Sequence, residues 1–186
     1  MMIKKRIMNS KIIIYLVILI HLPLLMYAQE NTTQPLDRDT LITTAKKIME
    51  TARYCALITL DSTGHPDARI MDPFPPDDDL IIWLGTNVSS RKVGQIKNDS
   101  RVTLYYQAPN AVGYSVIKGD AYIVEDSLKK QTYWKNEWSR FYTDNKSNYV
   151  LIKVVPEKLE VIDYQNGIAG ETKTWAVPFM EFNLSK

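Results

Sequence analysis

The stretch Gly85–Tyr106 limits the possible folds of this chain more than any other segment. An unbroken apolar run, Leu80–Leu84, precedes it and predicts a buried strand. Gly85 can adopt a positive φ angle and end that strand. A short segment with helical spacing follows, closed by polar residues, and Arg101–Tyr106 predicts the next strand. The sequence therefore predicts a strand, a short helix and a second strand at the centre of the chain.

Two cations lie where this short helix is predicted to begin. Ser89 or Ser90 can cap the helix, and its first turn then contains Arg91 and Lys92. The helix dipole disfavours positive charge there by roughly a few tenths of a kcal/mol. With an anion bound at this point, the electrostatic energy of the two cations would become favourable. Hydroxyl groups, free backbone N–H groups and two cations together suit a phosphate group. The alternative is a capped surface helix that carries two solvated basic residues.

The order of residues in this stretch resembles the flavin-phosphate motif of the pyridoxamine 5′-phosphate oxidase family. The matching positions are Gly85, Thr86, Asn87, Ser90, Arg91, Lys92, Gln95, Ile96, Arg101 and Val102. The resemblance extends over residues Arg38–Tyr164 and is nearest to the general-stress-protein branch of the family. It implies a split β-barrel that binds FMN at the interface of a homodimer.

The resemblance also implies which residues bind the cofactor. The phosphate of FMN would contact Arg69 and the cations of the motif, and the flavin ring would lie against the neighbouring strand backbone. Tyr114 replaces a Gln that touches the flavin in the oxidases, although an aromatic residue on a strand is equally compatible with a core position. The implied cofactor-binding residues are Arg69, Ile70, Met71, Gly85, Thr86, Ser90, Arg91, Lys92 and Tyr114. No catalytic residue is implied, because the flavin would carry the chemistry.

The sequence departs from the true oxidases at two places. The oxidases have a substrate-binding Lys five residues after the flavin-binding Arg, and this chain has Phe74 there. Their terminal motif with an Arg and a His is not visible. We therefore expect a flavin-dependent oxidoreductase that acts on an unknown small substrate and is not a true pyridoxamine phosphate oxidase. The alternatives are a non-catalytic flavin-binding protein and a split barrel that binds another cofactor such as haem, for which His65 alone gives little support.

The N-terminal segment has the layout of a secretory signal peptide. Basic residues at its start precede the apolar run Ile12–Ile20, and Ala28 stands before a polar stretch. Pro23 interrupts the apolar region, which makes an uncleaved membrane anchor the weaker alternative. We predict a signal peptide at 1–28, a linker at 29–37 and one domain at 38–186. The mature protein is then expected to be exported, periplasmic or secreted, without stable membrane association.

Charge and composition exclude several classes of function. The segment 1–28 contains four of the 23 basic residues and none of the 21 acidic ones, so the mature chain would be slightly acidic. No basic stripe remains, and nucleic-acid binding is not expected. Cys55 is the single cysteine, which rules out an internal disulfide, and its apolar strand predicts a buried, inert thiol. One Cys and one mature His also argue against a zinc site.

Periodicity elsewhere predicts a mainly β fold, a β-barrel with helical caps. A helix is expected to begin at Asp39–Thr40 and to bury Leu41, Ala45, Ile48 and Met49. A second helix is expected at Asp126–Tyr142, with an aromatic stripe. The remaining predicted strands are Tyr54–Leu60, Pro66–Met71, Arg101–Gln107, Tyr114–Val124, Tyr149–Val155 and Lys158–Tyr164.

Overall fold

The structure is a computed structural model that describes residues 36–142 and 147–183. The predicted signal peptide and residues 29–35 of the predicted linker lie outside the described residues. The helices are α1 (Arg38–Ala52), α2 (Arg91–Asn98) and α3 (Ser127–Thr132). The strands are β1 (Cys55–Leu60), β2 (Pro66–Met71), β3 (Ile82–Asn87), β4 (Arg101–Gln107), β5 (Gly113–Val124), β6 (Tyr149–Asp163) and β7 (Phe179–Glu181). Short 3₁₀ turns lie at Pro109–Ala111, Asn136–Arg140 and Tyr164–Asn166.

All seven strands form one antiparallel sheet in the order β2-β1-β4-β5-β6-β3, with β7 added to β6. The sheet curls around a single large core, and its two end strands, β2 and β3, are not paired with each other. This is a split β-barrel, as the sequence predicted. None of the described helices is long and apolar enough to cross a membrane.

Helix α1 covers the core of the barrel. The Asp37 carboxylate caps it by accepting from the Thr40 backbone N–H at 2.9 Å, which satisfies one of the free donors of the first turn. The apolar face that the periodicity predicted is buried, and it comprises Leu41, Ala45, Ile48 and Met49. Cys55 is also buried as predicted, and burial raises the pKa of its thiol to about 12, so the thiol is inert at neutral pH.

Gly85 does not end the strand that precedes it. Strand β3 continues through Gly85 to Asn87, and the positive φ of this region belongs to Leu80 instead. A glycine is required at position 85 for space. A Cβ atom there would lie 2.4 Å from the Trp138 ring and 2.7 Å from the Tyr149 ring. The close packing of these two aromatic rings on the strand therefore explains Gly85.

Two further elements differ from their predicted boundaries. The expected helix at Asp126–Tyr142 is wrong, because α3 ends at Thr132 and a 3₁₀ turn follows. Continued helix would spread the aromatic residues of this segment around its axis, whereas the observed backbone lays several of them against one sheet face. The two strands expected on either side of Pro156 are one strand, β6. Pro156 lies opposite Gly119 at a register shift, where a β-bulge accommodates a residue without an N–H group.

Candidate functional site

Arg69 on β2 points into the open side of the barrel. Burial alternates along β2, so Asp67, Arg69 and Met71 share the inner face. The guanidinium donates to the Thr59 hydroxyl at 2.6 Å and to the Leu57 carbonyl at 3.3 Å. Thr59 is completely buried, so its hydroxyl provides a fixed anchor. Arg69 is therefore held in one orientation and is not a freely solvated surface charge.

Helix α2 begins beside β3 on the other edge of the split. The Lys92 ammonium donates to the Thr86 hydroxyl at 3.1 Å, and the Ser90 hydroxyl lies 3.2 Å from the same Thr86 oxygen. Ser90 occupies the N-cap position, but its side chain makes no capping hydrogen bond. In the first turn of α2 the Val93 N–H donates to the Ser90 carbonyl at 2.9 Å, so the N–H groups of Arg91 and Lys92 are the donors that this helix start can offer to a ligand.

Gln95 on α2 binds the edge formed by β1 and β2. Its Oε1 accepts from Arg69 at 3.0 Å and from Thr59 at 2.6 Å, and its Nε2 donates to the Asp67 carboxylate at 2.6 Å. Lys92 binds Thr86 on β3 one helical turn earlier, so α2 has side-chain hydrogen bonds to both end strands of the sheet. Gln95 belonged to the motif, but it, Thr59 and Asp67 were absent from the predicted site. Thr59 and Asp67 could have been found from the register of the β1–β2 hairpin, which places these two residues opposite each other.

Three cations meet at this point: Arg69, Arg91 and Lys92, which we call the cation cluster. Burial and the charges of Arg69 and Arg91 lower the pKa of Lys92. Burial also lowers the pKa of Arg69, an effect that Arg91 reinforces and Asp67 opposes. Asp67, at 3.8 Å from Arg69 and 3.7 Å from Arg91, is the single carboxylate paired with the cluster among the described residues. The cluster therefore carries an excess of positive charge.

The other predicted site residues lie elsewhere on the two edges. Met71 packs against the core, whereas the Ile70 side chain faces outward and is 71% exposed. Tyr114 lies on the outer surface of β5, where its ring is 5.7 Å from that of Tyr105. Gly85 is covered by Trp138. The structure thus brings together Arg69, Thr86, Ser90, Arg91 and Lys92, and it shows no contact between this group and Tyr114.

An aromatic cluster covers the outer face of β3 and β6. Its members are Phe74, Trp83, Tyr133, Trp134, Trp138, Tyr142 and Tyr149. The Tyr149 hydroxyl donates to the Tyr133 carbonyl. Phe74 packs edge-on against Tyr133 at 5.1 Å and Trp138 at 5.6 Å. Because a Phe side chain has no charge, Phe74 cannot pair with a substrate phosphate.

The chemistry of the cation cluster is that of an anion site. It combines three cations, the hydrogen-bonded Thr86 and Ser90 hydroxyls and a helix N-terminus, a donor set that matches a phosphate group. Among residues 36–142 and 147–183, no group of three or more acidic, His or Cys side chains could hold a metal ion. The donors of the cation cluster suit the phosphate group of a phosphorylated ligand.

Similar solved structures have the same fold. General stress protein 26 from Bacillus anthracis str. Sterne is 25% identical, with a TM-score of 0.62 over 76% of this chain and 98% of its own. A protein related to general stress protein 26 from Clostridium acetobutylicum is 19% identical, with a TM-score of 0.64 over 80% and 98%. A pyridoxamine 5′-phosphate oxidase-related, FMN-binding protein from Nostoc punctiforme is 16% identical, with a TM-score of 0.52 over 77% and 93%.

Sequence comparison gives the family directly. No curated protein matches the chain. Residues 41–174, most of the sequence, match the family described as pyridoxamine 5′-phosphate oxidase like. This span includes all but the first three residues of α1, the cation cluster and the aromatic cluster. The chain therefore belongs to the pyridoxamine 5′-phosphate oxidase-like family.

Proposed function

We propose that this protein binds FMN and holds its phosphate on the cation cluster. The observation that carries the proposal is the set of three converging cations with one paired carboxylate, beside the uncapped N-terminus of α2. Burial and, after it, the charges of Arg69 and Arg91 lower the pKa of Lys92, and a bound phosphate would offset the repulsion between the three cations. The FMN-binding neighbour from Nostoc punctiforme supports the choice of flavin.

Bound FMN would supply hydride or electron transfer. In this chain Arg69 and Lys92 would bind the phosphate, Thr86 and Ser90 would orient it through their hydroxyls, and Gln95 would keep Arg69 in place. We infer a flavin-dependent oxidoreductase that acts on a small substrate. Pyridoxamine 5′-phosphate is a poor candidate for that substrate because the uncharged Phe74 stands where the oxidases have a substrate-binding Lys. A flavin-sequestering protein would use the same phosphate contacts without turnover.

The visible spectrum of the purified protein tests the proposal. We expect the absorption bands of oxidised flavin, and we expect added FMN to lose its fluorescence on binding with saturation at one flavin per chain. The bands should bleach when a reductant is added. A Soret band, or the absence of any FMN binding by the refolded apoprotein, would contradict the proposed function.

We also propose that the protein is a homodimer that uses the outer face of β2, β1 and β4. This face is apolar and exposed at Ile70, which lies beside Ala56, and Ala56 pairs in turn with Tyr105. The aromatic cluster packs largely on the sheet of its own chain, so it leaves the face of β2, β1 and β4 as the candidate interface. An exposed apolar face of this kind is typical of an interface core.

Replacing Ile70 by Lys should convert the dimer to a monomer. A charge in the centre of the apolar face would be desolvated without a partner on association, which is costly. Light scattering coupled to size exclusion measures the mass. Leu128→Lys is the matched control, because Leu128 is 74% exposed on α3, outside this face, and its variant should remain dimeric. Equal behaviour of the two variants would contradict the proposed interface.

Export of the protein is a third proposal, based on the N-terminal sequence. The basic start, the apolar run and Ala28 support cleavage before Gln29. We expect N-terminal sequencing of the protein from the producing cell to give a chain that begins near Gln29. An intact Met1 in a soluble cytosolic fraction would disprove export.

A further inference from the structure

Asp67 places a negative charge next to the cation cluster. It lies on the inner face of β2, two residues before Arg69, and its side chain is 33% exposed. One of its carboxylate oxygens, Oδ2, is 3.8 Å from the Arg69 guanidinium and 3.7 Å from the Arg91 guanidinium. Because like charges repel, this carboxylate opposes the binding of an anion at the same cations.

Gln95 holds the Asp67 carboxylate apart from the guanidinium groups. Its Nε2 donates to Asp67 Oδ2 at 2.6 Å, while its Oε1 accepts from Arg69 at 3.0 Å. A direct hydrogen bond between a guanidinium and a carboxylate measures about 2.7–2.9 Å, and both observed separations are longer. Arg69 donates instead to the Leu57 carbonyl and the Thr59 hydroxyl. The carboxylate is therefore fixed by a neutral amide, and it lowers the positive charge of the cluster without closing on it.

The charges at this point match a phosphate monoester. Three cations and one carboxylate give a formal charge of +2. A phosphate monoester carries about 1.5 to 2 negative charges at neutral pH, so the two charges balance. A pyrophosphate group brings additional negative charge that this balance does not offset and that Asp67 repels. Placing a like charge beside a site is a general means of rejecting the wrong ligand.

We propose that Asp67 determines the ligand class of the cation cluster, by making it selective for phosphate monoesters over pyrophosphate and other polyphosphate groups. The carboxylate weakens the binding of every anion, and the loss of affinity grows with the charge of the ligand. This inference rests on the proposed function, since it requires the cluster to bind phosphate. It adds a class of ligand that the site rejects, which three cations at a helix start would otherwise attract.

Asp67→Asn tests this role because it removes the charge and keeps the shape of the side chain. The Asn carbonyl oxygen can accept the same hydrogen bond from Gln95 Nε2, so the contacts that hold Arg69 are retained. Glu125→Gln is the matched control, since it removes one negative charge from an exposed residue outside the cluster. Calorimetric titration without divalent metal, at low salt and about pH 8, where phosphate is a dianion, compares inorganic phosphate with pyrophosphate.

Asp67→Asn should strengthen phosphate binding by about two- to ten-fold, as expected for the loss of partly screened repulsion. The ratio of pyrophosphate affinity to phosphate affinity should rise by about a further two- to five-fold, the effect of one additional charge pair. Both gains should disappear as the salt concentration approaches about 1 M, where the screening length is about 3 Å. Glu125→Gln should give the wild-type affinities and the wild-type ratio.

The selectivity of Asp67 and the binding of FMN can fail separately. An equal gain for both anions, no gain for either, or a gain that persists at high salt would overturn the role of Asp67 while leaving a phosphate site in place. Fluorescence titration of the wild type with FMN is the separate measurement. A protein that binds phosphate with the expected dependence on Asp67 but does not bind FMN would support the selectivity and contradict the proposed cofactor. If the wild type bound neither inorganic anion saturably, both proposals would be wrong.

Discussion

Replacing Lys92 by Met should weaken FMN binding by about ten- to 150-fold without lowering the stability of the apoprotein. A hydrogen bond to a charged group contributes about 1.5–3 kcal/mol, and the Lys92 ammonium is the half-buried cation at the start of α2. The same charge destabilises the empty site, because burial and two neighbouring cations lower its pKa. The substitution should therefore leave the melting temperature of the apoprotein unchanged or raise it, while FMN affinity falls.

Fluorescence titration with FMN and with riboflavin distinguishes this effect from misfolding. Riboflavin has no phosphate, so its affinity should be the same for the wild type and Lys92→Met. Arg91→Ala removes the same charge from a side chain that is 81% exposed, and solvent screening should make its loss of FMN affinity smaller. If Lys92→Met lowered the affinity for FMN and riboflavin equally, Lys92 would act on the flavin ring or on folding. The proposal that the cation cluster binds the phosphate would then be wrong.

Gly85→Ala and Gly94→Ala should change stability in opposite directions. A Cβ atom at position 85 would lie 2.4 Å from the Trp138 ring, so the aromatic cluster must shift, at a cost of about 1–3 kcal/mol. Gly94 lies in α2, and a Cβ atom there meets nothing within 4 Å. Alanine at that helical position should stabilise the protein by roughly 0.5–1 kcal/mol. Urea unfolding of the two apoprotein variants gives both values.

The ring that causes the predicted clash can be tested separately. In a Trp138→Leu background, a smaller side chain covers Gly85, and Gly85→Ala should then cost less than in the wild type. Part of the cost should remain, because the Tyr149 ring also lies 2.7 Å from the Cβ position. The two substitutions are coupled because the residues are in contact, and a double-mutant cycle measures that coupling. Additive effects would show that Trp138 does not pack on Gly85 in solution.

Local sequence signals were sufficient for the first half of the fold. The 3.6-residue period predicts α1, although its start was expected at Asp39–Thr40 and the observed cap is Asp37. An Asp-Ser-Thr-Gly turn between two β-rich runs predicts the β1–β2 hairpin. Both elements depend on contacts between residues close in sequence. The helix prediction for the segment after Asp126 is wrong for the opposite reason. Its backbone is determined by where Trp134 and Trp138 contact Tyr149, and no local pattern contains that information.

The candidate site was predictable in its charges but not in its supporting contacts. The motif identified Arg91 and Lys92 because cations are unusual at a helix start. It did not show that Gln95 would bond to Arg69, since this contact requires α2 to lie beside β2, a strand that is distant in sequence. Tyr114 illustrates the same limit, because strand alternation assigns a residue to one of two faces without showing which face is the interior.

Because β2 and β3 are not paired with each other, a bound flavin would also stabilise the fold. A phosphate held by Arg69 and by Lys92 would act as a non-covalent cross-link between the two open edges, in addition to the side-chain contacts of α2. Ligand that binds only the folded chain raises stability with the logarithm of its free concentration. The lifetime of the folded protein would then depend on the flavin supply of the compartment in which it works, with chains that lack flavin being the first to be degraded.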